Sequence, residues 1–148
     1  MARSAPLRTA RSRKEKTRSA FFCAQLDDEP NLSWAPDIDQ AIFLGSFAME
    51  EVTFFHRESR TVIIGDLIQR FSVSKASGWK GMVMRLDGLV GEAGSTPRDW
   101  RASFLRRAPA RAARKKVLGW NANQLLIAHG DCVHEGAAQV IAAALRWI

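Results

Sequence analysis

Short apolar runs separated by polar turns occupy the middle of the chain. Residues 41–45, 51–56 and 61–65 are rich in β-branched and aromatic side chains, which favour strands. The polar segment 57–59 predicts a hairpin between the last two. Because residues 62–64 are all apolar, we expect the third strand to be covered on both faces, inside a layered structure.

Apolar residues recur at helical spacing in three later segments. Residues 67–71 predict a short helical turn, and residues 79–86 predict a helix with one apolar face. The stretch "STPRDW" is typical of a helix start, with Thr96 as the cap. We expect Pro109 to end that helix and a second helix to run over 110–118.

The final two predicted elements are a buried strand and an amphipathic helix. The strand is "QLLIAHG", residues 124–130, and it ends in a glycine turn. The helix carries its apolar stripe on residues 140–148. Strands and helices mixed in this order predict an α/β layered domain, with a mixed β-sheet, a β-hairpin and packed helices.

Positive charge is concentrated in two segments of this chain of 148 residues and net charge +7. Residues 1–18 sum to +6 and residues 98–116 to +7, so the remainder sums to −6. We expect residues 1–20 to be a basic disordered tail and residues 21–148 to form one domain. A basic nucleic-acid-associated protein is one alternative function. Nucleic acid is not the favoured partner, because no base-stacking aromatics are interleaved with the arginines.

Cysteine content and hydropathy indicate where the protein works. Cys23 and Cys132 are the only cysteines, too few for a disulfide framework or a four-thiolate zinc site, so we expect a reducing cytoplasm. Apolar stretches are too short and interrupted to cross a bilayer. We therefore expect no membrane partner.

Two polar side chains stand where predicted strands end. Asp66 follows 61–65, and His129 closes 124–130. Ends of strands can aim polar groups into a cleft, and both residue types are suitable ligands for zinc, iron or manganese. Two structural alternatives stay open at this point. Asp66 can cap a following helical turn, with Gln69 reaching back, and His129 can be a turn histidine bonded to a backbone carbonyl.

Other candidate chemistry finds little support in the sequence. His56 lies at the predicted hairpin, where we expect it to pair with local backbone or with Glu58. Glu50 and Glu51 are adjacent in a strand entry and point to opposite faces, which makes them a poor acid–base pair. Neither a glycine-rich phosphate loop, nor a dinucleotide fingerprint, nor a nucleophile elbow occurs.

Three runs carry a family resemblance: "FAMEEVTFFHRESRTVIIGDLIQRF", "GSTPRDWRASFLRR" and "LLIAHGD". They resemble the bacterial domain-of-unknown-function 4336 family, which is related to the metallo-β-lactamase fold, and the likeness covers roughly residues 30–148. That fold is a four-layer sandwich of two sheets between helices, with a one- or two-metal site at the sheet edges. The resemblance implies a partial metallo-β-lactamase-like layered sandwich, of which this chain is the C-terminal part.

The resemblance also implies roles for the two strand-end residues. Asp66 matches the carboxylate that often bridges two metals, and His129 matches the last histidine ligand, so zinc or another divalent metal is the implied cofactor. In active members, metal-bound water attacks an ester, thioester, amide or phosphodiester. The histidine motif that the family fold carries in its N-terminal half has no counterpart in this sequence, because His56 is the only histidine before Asp66.

These implications define the expected function. We expect an uncharacterised, truncated metallo-β-lactamase-like domain without autonomous catalytic activity. The alternative is a metal-dependent hydrolase whose site is completed by a partner chain. A missing half would leave one side of the strands uncovered, and large exposed apolar patches tend to find partners, so we expect a homo-oligomer or a docking partner chain.

Overall fold

The computed structural model describes Leu26 and residues 28–148. The predicted basic tail, residues 1–20, and Cys23 lie outside this part of the chain. In chain order, the elements are β1 (Ile38–Phe43), β2 (Glu51–His56), β3 (Thr61–Ile64), a 3₁₀ turn (Val73–Lys75), α1 (Gly78–Leu86), α2 (Arg98–Ser103), α3 (Arg107–Gly119), β4 (Gln124–Ile127) and α4 (Ala137–Ala144).

The strands form one mixed sheet in the order β1-β2-β3-β4. β1, β2 and β3 are antiparallel neighbours, and the predicted hairpin joins β2 to β3 with Phe54 opposite Ile63. β4 runs parallel to β3, with Ile64 opposite Ile127. Because these two strands are parallel, their carboxyl ends meet at the same edge of the sheet. The predicted α/β class with a mixed sheet, a hairpin and packed helices is confirmed.

The core lies between one face of the sheet and helices α3 and α4. α3 packs against β1 through its buried Ala110, Ala113 and Val117, while α4 packs against β4. Phe55 stacks on Trp120 with ring centroids 5.2 Å apart. The remaining core members are apolar side chains from β1, β3, β4, α2, α4 and the connecting segments, namely Ala41, Phe43, Val62, Ile64, Leu67, Ile68, Trp100, Phe104, Ala122, Leu125, Ile127, Val133, Ala137, Ile141, Ala144 and Leu145.

The opposite face of the sheet is only partly covered. Ile63 of β3 and Leu126 of β4 are paired in register and each is 42% exposed. The expectation that the third strand is covered on both faces is therefore wrong for Ile63. α3 and α4 share one core with the alternate positions of these strands, so Ile63 and Leu126 project away from both helices.

The predicted helical turn over 67–71 is also wrong. Gln69 exchanges two backbone hydrogen bonds with Ser95, at 2.9 and 3.0 Å. The Arg70 amide donates to the His129 carbonyl, and the Arg70 carbonyl accepts from Asp131. These groups are bonded sideways to distant segments, so they are not available for the bonds along the chain that a helix requires.

The start of α2 and the position of Pro109 differ from prediction as well. The Arg98 amide donates to Asp87 Oδ1 at 2.9 Å, while Thr96 instead accepts a hydrogen bond from Trp147 Nε1. The break falls between α2 and α3, and Pro109 lies inside the first turn of α3. Proline is tolerated there because the first-turn amides of a helix have no acceptor within the helix.

The helix predicted over 79–86 is present as α1, but its apolar face is turned to solvent. Its exposed apolar residues, all on the predicted stripe, are Trp79, Met82, Val83 and Leu86. Gly81 is buried, and a Cβ there would lie 2.2 Å from the Ala76 carbonyl carbon. Gly81 is thus the one buried residue of α1, and it lies against the segment that precedes the helix. Within the described residues, no helix is long and apolar enough to span a membrane.

Candidate metal centre

The two strand-end residues predicted as metal ligands lie on neighbouring loops. Asp66 comes two residues after Ile64, and His129 comes two residues after Ile127. Since Ile64 and Ile127 are register partners on parallel strands, equal offsets bring the two side chains to the same point on the sheet edge. The parallel pairing thus brings together residues that lie far apart in the sequence.

The side chains of Asp66 and His129 are in direct contact. Asp66 Oδ1 and His129 Nε2 lie 2.8 Å apart, and the side chains are 46% and 55% exposed. The helix-cap alternative for Asp66 is wrong because residues 67–71, directly after it, form no helical turn. His129 bonds to a carboxylate through its ring and to the Arg70 amide through its own carbonyl. The pair is open to solvent and can be reached by an ion or a partner.

Glu51 fixes the loop that carries Asp66. Its Oε1 accepts the Gly65 amide at 2.6 Å, and its Oε2 accepts the Asp66 amide at 3.2 Å. Glu51 is not among the site residues predicted from the sequence, although the hairpin register indicates its position. Continuing the hairpin register from the Phe54–Ile63 pair places Glu51 opposite Asp66. Its role is to position the Asp66 backbone through hydrogen bonds.

The environment of Glu51 disfavours its negative charge. Burial raises the pKa of the Glu51 carboxyl, and the nearby charge of Asp66 raises it further. The amides of Gly65 and Asp66 oppose this rise because they stabilise the ionised form. The charges of Glu51 and Asp66 therefore interact, while the carboxylate that contacts His129 is that of Asp66.

The loop after β4 is held in place around Arg70. Arg70 donates through Nε to the Glu92 carbonyl at 2.6 Å and through NH1 to the Asp131 carbonyl at 2.9 Å. Gly130 has φ +120°, and a Cβ there would lie 1.8 Å from the Arg70 carbonyl oxygen. Only glycine permits this close approach, so Gly130 fixes the position of His129.

The donor set fits part of a divalent-metal site. Two ligand atoms on a tetrahedral zinc ion lie about 3.3 Å apart, given metal–ligand distances near 2.0–2.1 Å. The observed 2.8 Å separation needs to open by only a few tenths of an ångström. The described residues contain no cluster of three or more His, Cys, Asp or Glu able to hold a metal ion. Asp66 and His129 thus offer two ligand positions.

The other candidates have local roles. His56 Nδ1 accepts a hydrogen bond from the Ser59 amide at 3.4 Å and lies 2.7 Å from Ser59 Oγ, which confirms the predicted pairing with local backbone. Glu50 is exposed and Glu51 is half-buried, as expected for a strand entry with one solvated acid. Asp131, in the loop after His129, binds Lys75 Nζ at 2.5 Å.

These observations define a mixed α/β domain with a four-stranded mixed sheet, four α-helices among the described residues, and an acid–imidazole pair at the sheet edge. The relation to the metallo-β-lactamase fold stays a hypothesis based on the quoted sequence runs. Comparison of the chain with family models, with curated proteins and with solved structures finds no match.

Proposed function

We propose that this chain is a metal-binding domain of the partial metallo-β-lactamase-like type, without autonomous catalytic activity. Asp66 and His129 supply two ligands to a divalent-metal site that a partner chain completes. The observation that carries this proposal is the 2.8 Å contact between Asp66 Oδ1 and His129 Nε2 at the ends of two parallel strands.

Electrostatics favours a cation at this position. An exposed acid–imidazole pair contributes only about 0–1 kcal/mol to stability. The fold nevertheless places a second carboxylate, Glu51, close enough to Asp66 that the Asp66 charge helps to raise the pKa of Glu51. A bound divalent ion would offset the repulsion between the two carboxylates. Metal binding therefore accounts for the placement of Glu51, Asp66 and His129 better than a contribution to stability does.

The number of ligands argues against hydrolysis by the chain alone. Catalytic zinc sites usually have three protein ligands and one open position. When bound, the metal would supply Lewis-acid polarisation and activate water. Asp66 and His129 would hold the ion from one side, and the Glu51 contacts would keep Asp66 in place. In the alternative function, the same site becomes a metal-dependent hydrolase once the partner's ligands are present.

The partly covered sheet face offers a place for that partner. Ile63 and Leu126 are exposed on strands β3 and β4, and both strands run to the edge that carries Asp66 and His129. A chain docked on this apolar face would lie beside the pair. Burial of apolar side chains contributes about 25 cal/mol per Å². Burial of Ile63 and Leu126 would therefore stabilise the bound state of a second copy of this chain or of another docking protein.

Calorimetric titration of the full chain with Zn²⁺ tests the proposal. We expect a binding signal that is lost in Asp66→Ala and in His129→Ala. His134→Ala is the matched control, since His134 is an exposed histidine in the same loop as His129 and should leave binding intact. The purified chain should not hydrolyse chromogenic ester or phosphodiester substrates, with or without Zn²⁺.

Two titration results would contradict the proposal. One is a flat titration of the parent protein up to millimolar metal. The other is a titration that depends on His134 as strongly as on His129, which would indicate adventitious binding to surface histidines. Hydrolysis by the isolated chain that is lost in His129→Ala would contradict the claim that the chain has no autonomous catalytic activity.

A further inference from the structure

Helix α3 has two chemically distinct sides. Its buried side consists of Ala110, Ala113 and Val117, packed toward β1. Its other positions carry five cations, and the helix contains no acidic residue; the cations are Arg107, Arg111, Arg114, Lys115 and Lys116. The stretch from 98 to 116 accounts for a charge of +7 in the sequence.

Only one of these cations is engaged by acidic residues of the described chain. Lys116 Nζ lies 3.4 Å from Asp39 Oδ1 and 3.9 Å from Glu29 Oε1. Arg107, Arg111 and Lys115 are exposed, and no ion pair within the described part of the chain includes them. Lys116 therefore stabilises the fold, while Arg107, Arg111 and Lys115 repel one another with no acidic partner among the described residues.

The exposed cations form a regular row. Arg107, Arg111 and Lys115 are four residues apart, so they lie on one side of the helix at intervals of about 6 Å and span about 12 Å. A nucleic-acid duplex carries a phosphate about every 1.7 Å of its axis, counting both strands. A length of about 12 Å thus carries roughly seven phosphates, and those on the side that faces the helix can meet the row.

The surroundings of the row suit a phosphate backbone. Ala108 and Ala112 are exposed between the cations, so a backbone can approach the helix closely. The guanidinium of Arg107 lies over the Trp147 ring, 5.9 Å from its centroid, which restrains the side chain. Arg114 flanks the row, and its Nε is buried without a hydrogen-bond partner.

We propose that the row Arg107, Arg111 and Lys115 binds the phosphodiester backbone of duplex nucleic acid, independently of base sequence. The exposed positions between the cations are alanines, so no aromatic ring is available there to stack on the bases of a single strand. Within α3 itself, every exposed residue is a cation, an alanine or a glycine, so the helix offers no large apolar side chain for insertion into a lipid surface. Arginine forms bidentate hydrogen bonds with phosphate, which suits this role.

Salt-dependent binding of the full chain to a fluorescent duplex DNA tests this inference. Each phosphate contact adds about 0.9 to the magnitude of the slope of log K against log salt concentration. Arg111→Ala combined with Lys115→Ala should weaken binding and reduce that magnitude by about 1.8. The matched control is Lys80→Ala combined with Arg85→Ala, which removes the same charge from exposed positions of α1. Circular dichroism checks that both variants are folded.

Specific loss with the α3 variant and near-parental binding with the α1 variant would support the proposal. Because the basic N-terminal segment is common to all proteins compared, the difference between variants reports on α3. Equal weakening by both variants would overturn it, since net charge alone would then explain binding. Absence of duplex binding, or binding to anionic vesicles in place of DNA, would overturn it too.

Discussion

The half-buried carboxylate of Glu51 accepts hydrogen bonds from the backbone amides of Gly65 and Asp66. These bonds fix the position of the Asp66 backbone, from which its side chain extends. Burial and the Asp66 charge make ionisation of Glu51 unfavourable, while the two amides compensate. At the residue scale, Glu51 is therefore a positioning residue for the candidate metal ligands. Its contribution is measurable through stability.

Glu51→Gln should lower the free energy of unfolding by about 1–3 kcal/mol. Glutamine keeps one oxygen acceptor for Gly65, but it turns an amide group toward the Asp66 amide and leaves that partly buried donor without an acceptor. Urea unfolding measures the change. Glu50→Gln is the control, because Glu50 is exposed and should change stability by less than about 0.5 kcal/mol. Equal effects of the two substitutions would contradict the positioning role.

Asp39 provides a second residue-scale prediction, on pH dependence. Burial acts to raise the pKa of Asp39, but the Gln40 amide, Lys116 and Arg57 outweigh it and hold the pKa below its ordinary value. A carboxylate with a lowered pKa in the folded state stabilises the protein above its unfolded pKa and loses this contribution as the pH falls. Asp39→Asn should therefore destabilise the protein at neutral pH, with a difference that shrinks below about pH 4.

Unfolding curves of the parent and Asp39→Asn across the acid range would check this sign. Asp37→Asn is the matched control, since Asp37 is an exposed acid two residues away. A difference between the parent and Asp39→Asn that grows toward low pH would show that the Asp39 contacts do not favour its ionised form.

At the scale of elements, the sequence predicts those strands and helices whose pattern is local. β2 and the hairpin follow from β-branched and aromatic content and a short polar turn, and β4 follows from its apolar run. The segment 69–71 could not be predicted in the same way, because its hydrogen bonds go to residues near 90, 95 and 130. Likewise, the Asp66–His129 contact depends on strand pairing between distant parts of the chain, which no local pattern encodes.

Gly130→Ala should destabilise the domain more than Gly91→Ala, by about 1–3 kcal/mol. Both glycines have positive φ, at +120° and +124°, so both substitutions carry backbone strain. Only at Gly130 would the new Cβ meet another atom, the Arg70 carbonyl oxygen at 1.8 Å, whereas nothing lies within 4 Å at Gly91. Thermal unfolding measures the difference. Equal destabilisation would show that the Arg70 contact does not hold the His129 loop.

At the scale of the whole molecule, helices protect one face of the sheet and leave apolar residues on the other partly exposed. Ile63 and Leu126 form the exposed pair nearest to the carboxyl ends of β3 and β4. The basic row on α3 lies on a helix that packs against the opposite face through its alanines. The exposed apolar pair and the basic row therefore lie on opposite sides of the sheet.

If a second copy covers the exposed face, light scattering should give a dimer mass for the parent protein at high concentration. Ile63→Asp combined with Leu126→Asp should shift it to a monomer, because charged groups would then be buried in the interface. Leu32→Asp is the control, since Leu32 is 91% exposed at another site. A folded monomer of the parent at every concentration would contradict self-association and leave another docking chain as the partner.

The central claim is that Asp66 and His129 act together as ligands of one ion. Imidazole nitrogen resonances of the full chain, followed by NMR during Zn²⁺ titration, test it most directly. We predict that the His129 ring nitrogen signals move on addition of metal, that those of His56 and His134 do not, and that Asp66→Ala abolishes the change. His129 signals that stay fixed while the other histidines respond, or that move equally in Asp66→Ala, would contradict the claim.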